Sequence, residues 1–212
     1  MKTILCYGDS NTWGYNPSTK ERYGRDERWG GVLRNALGEE YLVIEEGLNG
    51  RTTTWDDPIE GIHKNGRTYL LPCLESHCPI DLVVILLGTN DLKRRFSVNA
   101  FNIAQGAKVL AQIVQKSEAG HDGTAPQVLL LAPPPTAELA GTDFSEMFRG
   151  GEEKSKGFSR EFERVAGDLG CEFLDAGDVI MSSRIDAIHL DVEEHRKLGQ
   201  AVASRVREIF EA

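Results

Sequence analysis

Apolar and polar positions along the chain alternate between two kinds of segment. Short runs rich in Ile, Val and Leu, such as "ILCY", "DLVVILL" and "QVLLLA", predict β-strands at residues 3–7, 41–46, 81–87, 127–132 and 171–175. The third and fourth runs are apolar without alternation, the pattern of central strands covered on both faces. Between them lie longer segments of helical period, at about residues 29–37, 68–77, 98–116, 155–169 and 192–210. Ile103, Ala107, Leu110 and Val114 recur at three- and four-residue spacing, as do Phe158, Phe162, Val165 and Leu169, so each of these helices has one stripe to lay on a sheet. Strands alternating with helices predict a three-layer α/β/α sandwich of flavodoxin-like type, with a five-stranded parallel sheet and right-handed crossovers.

The chain has 212 residues, which fits one domain spanning 1–212. A domain of this size buries roughly 70% of its unfolded surface and needs neither metal nor disulfide to hold a core. Cys6, Cys73, Cys78 and Cys171 form no C-x-x-C pair, which argues against zinc-ribbon and thioredoxin-like readings. With no secretory h-region and no long apolar span, the expected setting is cytoplasmic, with reduced thiols. A formal net charge of −9 argues against nucleic-acid and anionic-membrane partners. Lys93, Arg94 and Arg95 read as a solvated helix start.

Two segments without a clear period stand apart, 51–67 and 133–153. The second carries Phe144, Met147 and Phe148, and reads as a pocket rim, a subunit interface or a short helix tucked onto its own core.

Ligands of open parallel sheets bind beyond the carboxyl ends of the strands. Those positions hold Gly8-Asp9-Ser10, Gly47-Leu48-Asn49-Gly50, Gly88-Thr89-Asn90-Asp91 and, before the last helix, Asp186 and His189. A hydroxyl, Gly-rich backbone, a neutral amide and an Asp–His pair are the parts needed for acyl transfer. Ser10 needs a base to attack a carbonyl, and His189 is the candidate, with Asp186 to hold its other ring nitrogen. The Ser10 N–H, the Gly50 N–H and the Asn90 side chain are candidate oxyanion donors. Singly, each has a plainer reading: Ser10 as an N-cap, Asn90 as a turn residue, His189 as a structural histidine. His77 closes a helix, where it complements the dipole. His195, after Glu193 and Glu194, reads as exposed. No G-x-S-x-G, Walker, G-x-G-x-x-G or H-E-x-x-H motif occurs, so no cofactor and no metal are expected.

At "GDSNTWG", "GLNGRTT", "GTND" and "DAIHL" the sequence resembles the SGNH (GDSL-type) hydrolase superfamily, whose blocks supply Ser, Gly, Asn and His in this order. "RWGGVL", "DDP" and "FRGGEE" extend the likeness to the bacterial arylesterase, acyltransferase and perhydrolase group. That resemblance implies short-chain, especially acetyl, esters as small-molecule substrates, with transfer of the acyl group to water, alcohols or hydrogen peroxide. It also implies a homo-oligomer, often an octamer, whose neighbouring subunits narrow the entrance. Asn11 stands where the group commonly has a larger apolar side chain at the acyl pocket. Trp13 and Ile188, beside the nucleophile and the base, are expected pocket walls. A carbohydrate acetylesterase with the same machinery and a non-catalytic flavodoxin-like binding module are the alternatives.

Overall fold

The computed structural model describes residues 1–211. Five strands, β1 (Lys2–Gly8), β2 (Tyr41–Gly47), β3 (Leu82–Leu86), β4 (Gln127–Ala132) and β5 (Glu172–Asp175), form one sheet in the order β2-β1-β3-β4-β5. Every neighbouring pair is parallel. This is the α/β sandwich that the alternating pattern predicts, and its strands depart from the predicted ones by no more than their end residues.

The pleat sorts the strand side chains into two cores. Leu5, Tyr7, Val83, Ile85, Val128 and Leu130 face one layer, built by α3 (Gly66–His77), α4 (Ala100–Gln115) and α6 (Phe158–Leu169). Ile4, Cys6, Val84, Leu86, Leu129 and Leu131 face the other, built by α2 (Trp29–Leu37) and α7 (Val192–Glu211). All five residues of β3 are buried, which explains why that run shows no alternation.

Two helix boundaries differ from the periodic reading for local reasons. α4 starts at Ala100 because the Asn99 side chain accepts the Asn102 N–H at 3.0 Å and so caps the helix. The helix expected over 155–169 starts later, as α6 at Phe158, and a separate short helix, α5 (Gly151–Ser155), precedes it. The break passes through Gly157, where a Cβ would lie 2.9 Å from that of Ala100, so the close approach to α4 needs glycine. α1 (Ser10–Trp13) is a single turn following β1. Among the described residues no helix is long and apolar enough to cross a membrane.

The chain runs from β1 outward to β2 and then returns past β1 to β3. The strand order therefore reverses between β1 and β3, and a crevice opens at their carboxyl ends. Ser10 follows the first of these strands and Asn90 the second.

Candidate active site

β1 ends at Gly8, and Asp9, not Ser10, caps the turn that follows: its Oδ1 accepts the Asn11 N–H at 3.0 Å. Ser10 is thus the first residue of α1, and its hydroxyl is free for another partner. That partner is His189, whose Nε2 lies 3.0 Å from Ser10 Oγ. Asp186 Oδ2 receives His189 Nδ1 at 2.6 Å. The Asp186 Oδ1 atom also accepts the backbone N–H groups of Ile188 and His189, at 3.0 and 2.9 Å. This tight loop forces Ala187 to φ +70°, a left-handed conformation that costs a β-carbon-bearing residue free energy.

Burial pushes the Asp186 carboxyl upward, but the bonds from His189 and from the two backbone N–H groups outweigh it and hold the acid below its ordinary range. Asp186 therefore stays ionised beside the imidazole. The imidazole is also packed: Tyr15 lies 4.1 Å from it and Phe144 5.8 Å, measured between ring centroids. Asn11 Nδ2 donates to the Ile188 carbonyl at 3.3 Å and ties the His189 loop to α1.

Gly50 reaches the site through Arg51. The Arg51 guanidinium stacks 4.2 Å above the Tyr7 ring and donates to the carbonyls of Gly8, at 2.9 Å, and Glu46, so the ends of β1 and β2 are joined. Gly50 itself is left-handed, at φ +81°. On the other side Asp91 accepts the Thr53 N–H at 3.0 Å and the Thr53 hydroxyl, binding the Gly50 segment to the Asn90 segment. Asn90 Nδ2 donates one hydrogen to Asp9 Oδ2 at 3.3 Å and keeps the other. The Ser10 and Gly50 N–H groups donate to no described protein atom. Three donors are thereby available around the Ser10 hydroxyl.

These groups line one cavity of about 170 Å³, with Tyr15, Phe144, Met147, Phe148 and Ile188 as an apolar wall and Asn49, Glu60 and Lys93 as a polar one. Segment 133–153 is thus a pocket rim. Of the expected pocket residues, Ile188 lines the cavity whereas Trp13 and Asn11 do not. Trp13 packs instead under Arg22, whose guanidinium lies 5.1 Å from the ring and whose Nε bonds the Trp13 carbonyl at 2.7 Å. Asn11 is buried beneath the site, occupied with Ile188. Tyr15 and Glu60 escaped the sequence reading, and Asn49 stood at a ligand-binding strand end without an assigned role.

Three further expectations are corrected. Lys93 is not solvated: it is 3% exposed and paired with Glu60 at 2.5 Å. His195 is fully buried, with Nδ1 accepting the Trp29 N–H at 3.3 Å, and burial pushes its pKa down to about 3. His77 contacts Glu46 at 2.8 Å rather than serving the helix end alone. Together with Cys73, these two bring possible metal-ligand atoms within 4.8 Å of one another, apart from the cavity lining. Cys73 and His77 share a helix face at i, i+4, the only signal of that cluster in the sequence. The Cys73 thiol is pushed up to about 12, mainly by burial and further by Glu46.

A reversing parallel sheet with Ser, Gly, Asn and His segments converging at its carboxyl edge defines an SGNH hydrolase. The chain belongs to the GDSL-like lipase/acylhydrolase family, which residues 6–197 match. Among solved structures it is similar to the aryl esterase of M. smegmatis, at 43% identity and TM-score 0.93 over 98% of this chain and 99% of that one. It is equally similar to a carbohydrate acetylesterase of Sinorhizobium meliloti, at 43% identity and TM-score 0.94 over 99% of this chain and 100% of the other. No curated protein matches the sequence.

Proposed function

We propose that the protein is a serine esterase that removes short acyl groups, acetyl above all, through an acyl-enzyme. The observation that carries this reading is the unbroken contact from Ser10 through His189 to Asp186 at the edge of a cavity that also holds three oxyanion donors. Ser10 Oγ attacks the ester carbonyl as His189 Nε2 takes its proton, and Asp186 steadies the imidazolium. The Ser10 and Gly50 N–H groups and Asn90 receive the oxyanion. His189 then returns the proton to the departing alcohol. Water, activated by the same base, releases the acid and regenerates Ser10.

An alcohol or hydrogen peroxide can take the place of water in releasing the acyl-enzyme, so acyl transfer belongs to the same proposal. Both kinds of esterase among the similar structures, on aryl and on carbohydrate esters, suit the pocket. All four cysteines are free thiols, which supports a cytoplasmic setting. Ile59 and Ile62, 73% and 72% exposed on the loop that carries Glu60, support self-association.

A fluorophosphonate tests the reading directly. It should label the protein at Ser10 and abolish hydrolysis of p-nitrophenyl acetate, whereas Ser10→Ala should take no label. Absence of labelling together with absence of hydrolysis would leave the binding-module alternative standing.

A further inference from the structure

One wall of the cavity carries charge that the esterase chemistry does not use. Lys93 and Arg95 both hold Glu60 Oε1 at 2.5 Å, Arg95 also holds Asp57 Oδ2 at 2.9 Å, and Asp57 is wholly buried. Such a cluster gives little stability over apolar residues of the same volume, because desolvation offsets the attraction. Its position suggests recognition instead. Glu60 Oε2 has no hydrogen-bond donor among the described residues and rests against Gly50, 2.3 Å from where a Cβ would stand. Beside it, Asn49 lines the same cavity, and its Oδ1 is enclosed with no partner. Lys93 Nζ, with Glu60 Oε1 as its one hydrogen-bonded acceptor, retains donors.

We propose that Glu60, Asn49 and Lys93 form a subsite for the hydroxyl groups of a polyol or sugar, the alcohol portion of the ester. The inference rests on the esterase reading and narrows it. An acetyl group has no hydroxyl, so only the alcohol side of an acetyl ester can satisfy these atoms. Each hydroxyl donates to Glu60 Oε2, or to Asn49 Oδ1 once that side chain turns toward the cavity it lines, and can accept from Lys93. An alcohol without hydroxyls leaves the acceptors desolvated and unpaired, which penalises binding.

Glycerol monoacetate and propyl acetate share a three-carbon alcohol and differ by two hydroxyls, so they isolate the effect. The wild-type protein should show a kcat/KM for glycerol monoacetate about tenfold or more above that for propyl acetate, as expected for hydrogen bonds to a charged acceptor. Glu60→Gln and Asn49→Ala should each lower that ratio several-fold. If Glu60→Gln does not fold, the Asn49→Ala ratio and the wild-type preference decide. Hydrolysis of both esters without preference for the polyol, or a ratio unchanged in the folded variants, overturns the subsite alone. Hydrolysis of p-nitrophenyl acetate but of neither alkyl ester overturns the subsite alone, and hydrolysis of none of the three overturns the esterase reading with it.

Discussion

Asn90 Nδ2 donates to Asp9 Oδ2 across 3.3 Å, so the residue beside Ser10, the proposed nucleophile, holds a proposed oxyanion donor that arrives from another strand. The other oxygen of Asp9 caps α1. One carboxylate thus aligns both the Ser10 turn and the Asn90 amide.

Replacing Asp9 by Asn presents an N–H₂ group to either Asn90 Nδ2 or the Asn11 N–H, and one of the two bonds is lost. Asp9→Asn should lower kcat for p-nitrophenyl acetate by at least about tenfold, since a misplaced oxyanion donor acts on the transition state. KM should change much less. Steady-state kinetics with equal amounts of folded protein check this.

The two buried histidines should separate cleanly. His189→Ala removes the proposed base and should cut kcat by about 1000-fold or more while the fold persists. His195→Ala opens a hole between α7 and Trp29, where the ring is fully enclosed, and should cost about 2 kcal/mol or more of stability. Thermal unfolding and turnover, measured on both variants, distinguish the roles; a folded, inactive His195→Ala would reassign the base.

Acyl length is the third test. Phe144, Met147, Phe148 and Ile188 close the apolar side of a cavity of about 170 Å³. The kcat/KM for p-nitrophenyl esters should therefore fall from acetyl to octanoyl, and Phe148→Ala should flatten the decline. A rise toward octanoyl would contradict the short-chain assignment.

Stability should respond to pH through Asp91. Burial pushes its carboxyl up to about 7, against the bonds from Thr53, and neighbouring Asp9 adds to the rise. Because the folded protein binds this proton more tightly than the unfolded chain, Asp91 contributes stability below about pH 4. That contribution is lost as pH rises through about 7. Asp91→Asn keeps an acceptor for the Thr53 N–H and removes the titration. Denaturant midpoints between pH 4 and 8 should show a shallower downward trend for Asp91→Asn than for the wild type.

Much of this was readable from the chain because it depends on local pattern. The apolar run of β3 and the glycine-marked strand ends predict Ser10, Gly50 and Asn90 at one edge, and the approach to the last helix predicts His189 there. Pairings between distant segments were not readable. Lys93 looks like a surface lysine until Glu60 and Asp57 arrive from a loop more than thirty residues earlier. Asn11 reads as pocket lining, but its amide reaches a carbonyl 177 positions away. His195 was legible in principle: it shares a helix face with Leu198, Val202 and Val206, and the adjacent glutamates masked the stripe.

Ser10 precedes its partner imidazole by 179 positions, and that imidazole belongs to a loop just before α7. A chain in which that loop is undocked carries an ordinary alcohol at position 10, which the proposed mechanism makes inert toward esters. On the proposed mechanism, chemical competence arrives only once the His189 loop has docked, which makes turnover itself a report on that long-range closure.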